Sequence, residues 1–139
     1  MTQDTDTLLK HHQLKITPFR RDVLQIFITS GRALSHQDLE SALSTFDRIT
    51  LYRTLKNFED KGLIHKAIDG TLQQKFALCD SLCDQHAHHD THVHFHCQNC
   101  QHTFCLEHVY VPKVKMPIGF ESSDSQMVIN GKCKNCSVQ

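Results

Sequence analysis

Two pairs of cysteines, each with two residues between its members, are the side chains of this 139-residue chain best suited to chemistry. Two thiolates at this spacing can hold one ion from a tight turn, and two such pairs complete the tetrahedron of a structural zinc site. The pairs are separated by 32 residues, which is longer than in a compact zinc ribbon. We therefore predict a structural Zn²⁺ that clips the later pair to the start of a small domain, with the ligands Cys97, Cys100, Cys133 and Cys136.

A tract of histidines precedes the first cysteine pair, with six histidines in the 11 residues from His86 to His96. Residues two apart on a strand share a face, so His92, His94 and His96 would line one side. Two imidazoles on such a face form half of a site for zinc, iron or manganese. His86 would lie on a loop that swings in when the metal arrives. We predict a second, regulatory metal site here, with a tract of solvated histidines as the alternative.

Three cysteines stand outside the two pairs: Cys79, Cys83 and Cys105. Cys105 lies on an expected strand, 103–106, which can face the histidine strand. It is either a metal ligand or a small buried apolar side chain, the commoner fate of an unpaired cysteine. Cys79 and Cys83 fall near an expected domain junction, as ligands or as packing residues.

The elements that must position these side chains differ between the two halves of the chain. Caps and apolar spacing predict four helices in the first half: Thr7–Leu14, one from the Thr17 cap to Gly31, one starting at Ser35, and Ile49–Lys61. Two β-prone runs around Asp69-Gly70 then predict a hairpin. In the second half, strands are expected at 91–96, 103–106 and 126–132. Together these elements indicate an α+β protein, with an N-terminal winged helix-turn-helix domain and a small C-terminal α/β dimerisation domain.

The inner faces of the third and fourth helices follow from their apolar positions. The third helix would bury Leu39, Ala42, Leu43 and Phe46. The fourth would bury Leu51, Leu55 and Phe58, so that Thr50, Arg53, Thr54 and Asn57 point elsewhere.

The last helix before the wing of a winged helix enters the major groove of DNA. Tyr52 and Arg53 on that helix could then reach bases or phosphates, and Arg20, Arg48 and Lys56 could contact the backbone. Net charge is zero, with +2 on residues 1–78 and −2 on residues 79–139, so overall charge does not decide the partner. Winged helices also serve as protein-interaction modules, and that reading stays open at this point.

Composition places the domain boundary near residue 79, where histidine and cysteine become frequent. We expect a winged-helix DNA-binding domain at 1–78, a hinge at 79–90 and a metal-binding dimerisation domain at 91–139. No apolar run is long enough for a membrane span, and the polar N-terminus is unlike a secretory signal, so a cytoplasmic protein with reduced thiols is expected. No nucleophile with a placed base, phosphate-binding glycine loop or zinc-protease helix is evident, so we expect neither an enzyme nor a small organic substrate.

Four motifs resemble those of the ferric uptake regulator superfamily, and the whole resemblance spans roughly residues 8–136. They are Lys15-Ile-Thr-Pro-Phe-Arg20, Thr50-Leu-Tyr-Arg-Thr-Leu55, His92-Val-His-Phe-His-Cys-Gln-Asn-Cys100 and Gly131-Lys-Cys-Lys-Asn-Cys136. The resemblance implies a homodimer paired through its C-terminal halves. It also implies a repressor of metal-uptake or stress genes that binds double-stranded operator DNA when its sensor site is filled.

By position, the resemblance also implies roles for single residues. The implied DNA contacts are Lys15, Arg20, Thr50, Tyr52 and Arg53. His92 and His94 fall on two sensor ligands, and His86 falls near a third, with Cys83 as its rival. Cys105 falls where relatives carry Glu or Asp.

The chain departs from the family pattern at two other sensor positions. Ala33 aligns with a ligand histidine of some relatives, for which His36 could substitute. Ser125, beside Asp124, replaces a histidine of a further site. Thiolate with imidazole suits zinc, whereas carboxylates suit iron and manganese, so Cys105 favours Zn²⁺ as the sensed ion, with Fe²⁺ and Mn²⁺ left open. A peroxide-sensing repressor and a metal-buffering protein with a protein-binding winged helix are the alternatives.

Overall fold

The computed structural model describes residues 4–78 and 92–137, and the account below concerns these residues. In chain order the elements are α1 (Thr5–His11), α2 (Pro18–Ser30), β1 (Leu34–Ser35), α3 (His36–Ala42), α4 (Arg48–Asp60), β2 (Ile64–Lys66), β3 (Lys75–Leu78), β4 (His92–Cys97), β5 (Thr103–Tyr110), β6 (Val128–Gly131) and α5 (Lys134–Ser137). Four of the five described helices precede β2, and five of the six described strands follow α4. This segregation of helices from strands confirms the α+β class. None of the described helices is long and apolar enough to cross a membrane.

Helix α2 begins and ends at the residues that its capping pattern predicts. The Thr17 side chain accepts a hydrogen bond from the Arg20 amide, and Pro18 occupies the first turn, where no backbone donor is needed. Gly31 ends the helix in the left-handed conformation, with φ of 61°. The inner face of α2 contributes Val23, Leu24 and Phe27 to the apolar core of the N-terminal half.

Helices α3 and α4 differ from expectation in which residues they bury. Helix α3 ends at Ala42, so Phe46 lies beyond it and is 38% exposed. Leu39 is the one buried residue of α3, and Leu43, just after the helix, packs against the core while partly buried. Ala42 is exposed, so the expected inner face is wrong at Ala42 and Phe46. Helix α4 buries Leu51, Leu55 and Phe58 as expected, but it also buries Thr54, because Thr54 lies one turn from both Leu51 and Phe58.

The wing is a three-stranded sheet in the order β1-β3-β2, with antiparallel pairing throughout. Its hairpin is confirmed, but the two-residue turn at Asp69-Gly70 is not. Lys66 pairs with Phe76, and the Ala67 amide bonds to the Lys75 carbonyl, so the connection is long. The cause is the buried Asp69 side chain, which accepts hydrogen bonds from the amide and hydroxyl of Thr71 and so shapes a wider loop.

The C-terminal sheet has the order β5-β4-β6, with β4 antiparallel to β5 and parallel to β6. His94 pairs with Cys105 on one side, and Cys97 pairs with Gly131 on the other. This second pairing matters for the cysteines, because one pair begins at the end of β4 and the other lies just after β6. Parallel pairing therefore brings two distant segments to the same end of the sheet.

The wing packs against the C-terminal sheet along a surface that we call the seam, formed by Ala33, Ala67 and Ala77 with Cys105 against them. Small side chains allow the backbones to approach, and the Ala33 amide donates a 2.7 Å hydrogen bond to the Thr103 carbonyl. The strands of the two sheets come from separate halves of the chain. The division into domains at 1–78, 79–90 and 91–139 remains a prediction, because its hinge lies outside the described residues.

Candidate metal centres and DNA-binding surface

The first candidate centre consists of the four cysteines of the two Cys-x-x-Cys pairs. Their sulfur atoms all lie within 4.8 Å of one another. The Cys100 and Cys133 sulfurs are 3.8 Å apart. A zinc ion bonded to sulfur at about 2.3 Å would place tetrahedral sulfurs about 3.8 Å from each other. None of the four forms a disulfide, and this donor set fits a structural zinc site closed to other ligands. The predicted ligands Cys97, Cys100, Cys133 and Cys136 are thus brought together.

Backbone amides favour the thiolate form at this centre. The Cys97 sulfur accepts hydrogen bonds from the amides of Cys100, at 3.4 Å, and Cys133, at 3.3 Å. The Cys100 amide is the largest cause, and although burial opposes it, the pKa of Cys97 falls to about 6. At Cys100 the His102 amide lowers the pKa, but burial and the three neighbouring thiols outweigh it and raise that pKa to about 11. Four crowded sulfurs cannot all ionise without a cation between them.

The second candidate centre lies in the seam and consists of His65, His94 and Cys105. The Nε2 atoms of His65 and His94 are 3.3 Å apart, and the Cys105 sulfur is 3.2 Å from His65 Nε2. His65 is 2% exposed and His94 is 5% exposed, so water reaches little of either ring. Strand β2 supplies His65, while the paired strands β4 and β5 supply His94 and Cys105.

His65 was absent from the residues predicted from sequence. His65 stands alone in the sequence, 29 residues before His94, so no neighbouring ligand residue marks it as a candidate metal ligand. The available indication was its setting between Ile64 and Ala67, where a histidine on a buried strand needs a polar partner.

The other regulatory residues predicted from sequence are placed as follows. His86 and Cys83 lie outside the described residues, as does Cys79. His92 opens β4, and a register shift separates it from Val93.

His96 shares the buried side of β4 with His94, but its ring nitrogens contact the Thr103 hydroxyl and the Gln101 side-chain oxygen, at 3.1 and 3.2 Å. His36 stacks on Tyr52, with ring centroids 6.3 Å apart. Neither His36 nor the exposed Asp124 belongs to a metal-ligating group among the described residues.

A buried ion pair joins the loop of the wing to the C-terminal sheet. Asp69 accepts hydrogen bonds from Lys75 at 2.9 Å and from the Thr103 hydroxyl at 2.7 Å, and Lys75 also donates to the Gln101 carbonyl. Burial acts to raise the pKa of Asp69, but the hydrogen bonds from Thr71, Lys75 and Thr103 outweigh it and hold that pKa well below its usual range. The Asp69 side chain is therefore a hydrogen-bonded carboxylate at neutral pH.

The candidate DNA-binding surface is the outward side of α4. Tyr52 is 60% exposed, and Arg53 is also exposed. Thr50 is exposed, but its hydroxyl donates to the Asp47 carboxylate and so helps to cap the helix. Lys15 is exposed, and its carbonyl accepts a 2.8 Å hydrogen bond from the Arg20 guanidinium. The structure thus leaves Tyr52, Arg53 and Lys15 open to a partner, while Thr50 and Arg20 make local bonds.

Comparisons with known proteins agree with this arrangement. The model of the ferric uptake regulator family matches residues 11–129. The chain is 27% identical over 143 residues to the ferric uptake regulation protein of Staphylococcus aureus, with 97% of each chain covered. It is 25% identical to the solved ferric uptake regulator from Francisella tularensis with iron, with a TM-score of 0.57 over 88% of this chain and 94% of that one. A zinc uptake regulator complexed with zinc and DNA has the same fold, with 20% identity and a TM-score of 0.61 over 94% and 89% of the chains.

Proposed function

This chain belongs to the ferric uptake regulator family, and from that membership we propose that it is a metal-dependent transcriptional repressor that binds operator DNA in the cytoplasm. The members of the family are transcription regulators rather than enzymes. Membership therefore favours a repressor over a metal-buffering protein. In this proposal, Cys97, Cys100, Cys133 and Cys136 hold a structural zinc that stays bound when metal supply changes. Sensing is the task of a second site.

The observation that carries the proposal is the position of the second cluster across the seam. One of its members lies on the wing, and the other two lie on the C-terminal sheet. A metal ion bound there would favour one arrangement of the DNA-binding half over others, which is how a ligand shifts a conformational equilibrium. His94 and Cys105 are the members of the regulatory set predicted from sequence that this cluster contains, and His86, His92 and Cys83 remain candidates beside them.

DNA recognition is proposed for the exposed side of α4 and the segment before α2. Arg53 and Tyr52 would reach into the major groove, where a guanidinium can donate two hydrogen bonds to one guanine. Lys15 would contact phosphate. Arg20 and Thr50 would support this surface, since their hydrogen bonds to the Lys15 carbonyl and the Asp47 carboxylate fix the start of each helix.

Pairing of two copies through the C-terminal half completes the proposal. Several large apolar side chains between residues 109 and 129 are exposed, and a soluble monomer seldom leaves so many uncovered. They are Val109, Tyr110, Val114, Met116, Ile118, Phe120, Met127 and Ile129. Sedimentation equilibrium of the zinc-loaded protein should give twice the mass of one chain.

The test of the proposed function is operator selection followed by binding measurements. Protein with one zinc per chain is used to select DNA from a random pool in the presence of Zn²⁺, Fe²⁺ or Mn²⁺. Fluorescence anisotropy then compares the selected duplex with a shuffled one, with metal and with a mild chelator that spares the structural zinc. Metal-dependent preference for the selected duplex is expected. Equal affinity with metal and with chelator, or no enriched sequence, would overturn the proposal.

A further inference from the structure

We infer that His36 is a positioning residue for DNA recognition: its imidazole holds the exposed ring of Tyr52 in the orientation in which that ring meets a base. The contact between the two rings stands on the geometry alone. Its use in reading DNA rests on the proposed function, in which Tyr52 enters the major groove.

The imidazole of His36 lies between helix α4 and the wing. It stacks on Tyr52 of α4, with ring centroids 6.3 Å apart and planes inclined by 19°. It also makes an edge-to-face contact with Phe76 of β3, at 5.8 Å and 77°. Both arrangements are those that aromatic rings prefer, at centroid distances of about 4.5–7 Å. Tyr52 is thereby connected through His36 to a strand of the wing.

His36 is better fixed than the ring it touches. It directly follows Ser35, whose strand β1 pairs with β3 and whose side chain caps α3. Phe76, on its other side, is 5% exposed and belongs to the apolar core. Tyr52 is 60% exposed, and an exposed side chain on a helix surface changes rotamer readily. The stack therefore restrains Tyr52 from a rigid part of the fold.

The surroundings of His36 show that its ring does more than fill a core. The ring is only partly buried, and a cleft of about 110 Å³ opens beside it. The polar lining of this cleft includes Lys56, Lys66 and the acidic Glu59. His36 thus reaches the same polar surface, between α4 and the wing, to which Tyr52 belongs.

A restrained Tyr52 ring improves both affinity and selectivity. A side chain that becomes ordered only on binding loses rotamer freedom at that moment, and the loss weakens affinity. A ring already stacked on His36 has lost that freedom in the free protein. Contact groups whose rotamers are locked by packing also hold one geometry, so that Tyr52 would distinguish one base pair from another more sharply.

A double-mutant cycle tests whether His36 acts through Tyr52. Binding of the full chain to the selected operator is measured by fluorescence anisotropy, with the metal that supports selection. His36→Ala should weaken this binding about 2- to 10-fold, the range that an aromatic pair contributes. In a Tyr52→Ala background the same change should have no effect, because no ring is left to position.

Two further variants sharpen the cycle. His36→Phe should restore the affinity of wild type, because it returns a flat ring to the stack. Gln37→Ala, at the next and exposed position of α3, is the matched control and should bind like wild type. Selection with His36→Ala should also give a less sharply defined base at one position of the operator, and His36→Phe should return it.

The ring of Tyr52 can also be observed without DNA, because the chain has only two tyrosines, Tyr52 and Tyr110. NMR of protein with ¹³C-labelled tyrosine gives two sets of ring signals, and Tyr110→Phe assigns them. His36→Ala should shift the Tyr52 signals and raise the picosecond-to-nanosecond mobility of that ring, with Tyr110 unchanged. His36→Phe should leave the Tyr52 ring as ordered as in wild type.

The outcomes separate the contact from its use. Unchanged Tyr52 signals in His36→Ala would overturn the contact. Unchanged operator affinity, or an equal loss with and without the Tyr52 ring, would overturn the positioning role. If wild type prefers no duplex in the presence of metal while its Tyr52 ring responds to His36→Ala, the proposed function fails and the contact stands. Should His36→Ala not fold, His36→Gln, which also removes the ring, takes its place in both measurements.

Discussion

The carboxylate of Asp69 accepts a 2.7 Å hydrogen bond from the hydroxyl of Thr103, and this bond joins the loop of the wing to the start of β5 in the C-terminal sheet. Both side chains are buried, and Lys75 neutralises the carboxylate from the wing side. The two halves of the protein are therefore held together by a charged group that has no access to bulk water.

Asp69→Asn should destabilise the protein by about 3 kcal/mol or more, because removal of one member of a buried ion pair leaves its partner charge uncompensated. The partner here is Lys75, whose side chain is 6% exposed. Urea unfolding at neutral pH measures the effect. Asp60→Asn, at an exposed position at the end of α4, is the control and should change stability little. A similar loss in both variants would show that the ion pair has no special role.

The same carboxylate predicts how stability depends on pH. The folded-state pKa of Asp69 lies below its unfolded value of about 3.9, so its contribution is present above about pH 4 and is lost as the pH falls toward the folded pKa. The stability gap between wild type and Asp69→Asn should be constant above about pH 5. Below about pH 4 it should narrow by about 1.4 kcal/mol per pH unit. Urea unfolding of both proteins at each pH measures the gap, in which losses common to both cancel. A gap that stays constant down to pH 3 would contradict the assignment.

Cys133→Ser should remove the tightly held zinc and unfold the C-terminal sheet. Structural zinc supplies on the order of 10 kcal/mol to the folding of small domains, and the buried Cys133 is one of the four sulfurs that would hold it. Elemental analysis after mild chelation should find one zinc per chain in wild type and less than half in the variant. Limited proteolysis should cut the variant within the C-terminal half. Cys105→Ser, outside the four-cysteine group, should keep its zinc after the same treatment.

Arg53→Ala should weaken binding to the selected operator by about 1–3 kcal/mol, as expected for a guanidinium that donates to a base. Its exposed position on α4 means that folding should be unaffected, which thermal unfolding can confirm. Anisotropy measurements over a range of salt concentrations distinguish base from phosphate contacts, because a lost phosphate contact lowers the salt dependence. Lys115→Ala, an exposed change in the other half, is the control. Unchanged affinity in Arg53→Ala would remove this residue from the interface.

Local rules explain what could be predicted from the sequence. The Thr17 cap, Gly31 and the two cysteine pairs depend on neighbours within a few residues, and the structure has all of them where the sequence predicts. The chemistry of zinc predicts that the two cysteine pairs meet. The strand pairing that brings them together, β4 parallel to β6, has no local signal in the sequence.

Features that depend on packing between distant segments could not be predicted. His65 becomes a candidate ligand only when the wing lies against β4. The sequence around Asp69 indicates only a turn residue. Its bonding partner Thr103 lies 34 positions away, so no local pattern predicts the hydrogen bond between them. The alternation of histidine with apolar residues from 92 to 96 likewise gives no sign of the register shift beside His92.

The parallel pairing of β4 and β6 also sets an order of events during synthesis. Cys97 and Cys100 leave the ribosome well before Cys133 and Cys136, so the nascent chain holds two thiols that cannot yet form a four-cysteine site. The elements of the N-terminal half have by then all been made and can fold. Zinc acquisition is consequently a late step of maturation. If zinc were scarce, the chain would have a folded wing and an unfolded C-terminal half. Proteases would cut that unfolded half before the protein could bind DNA.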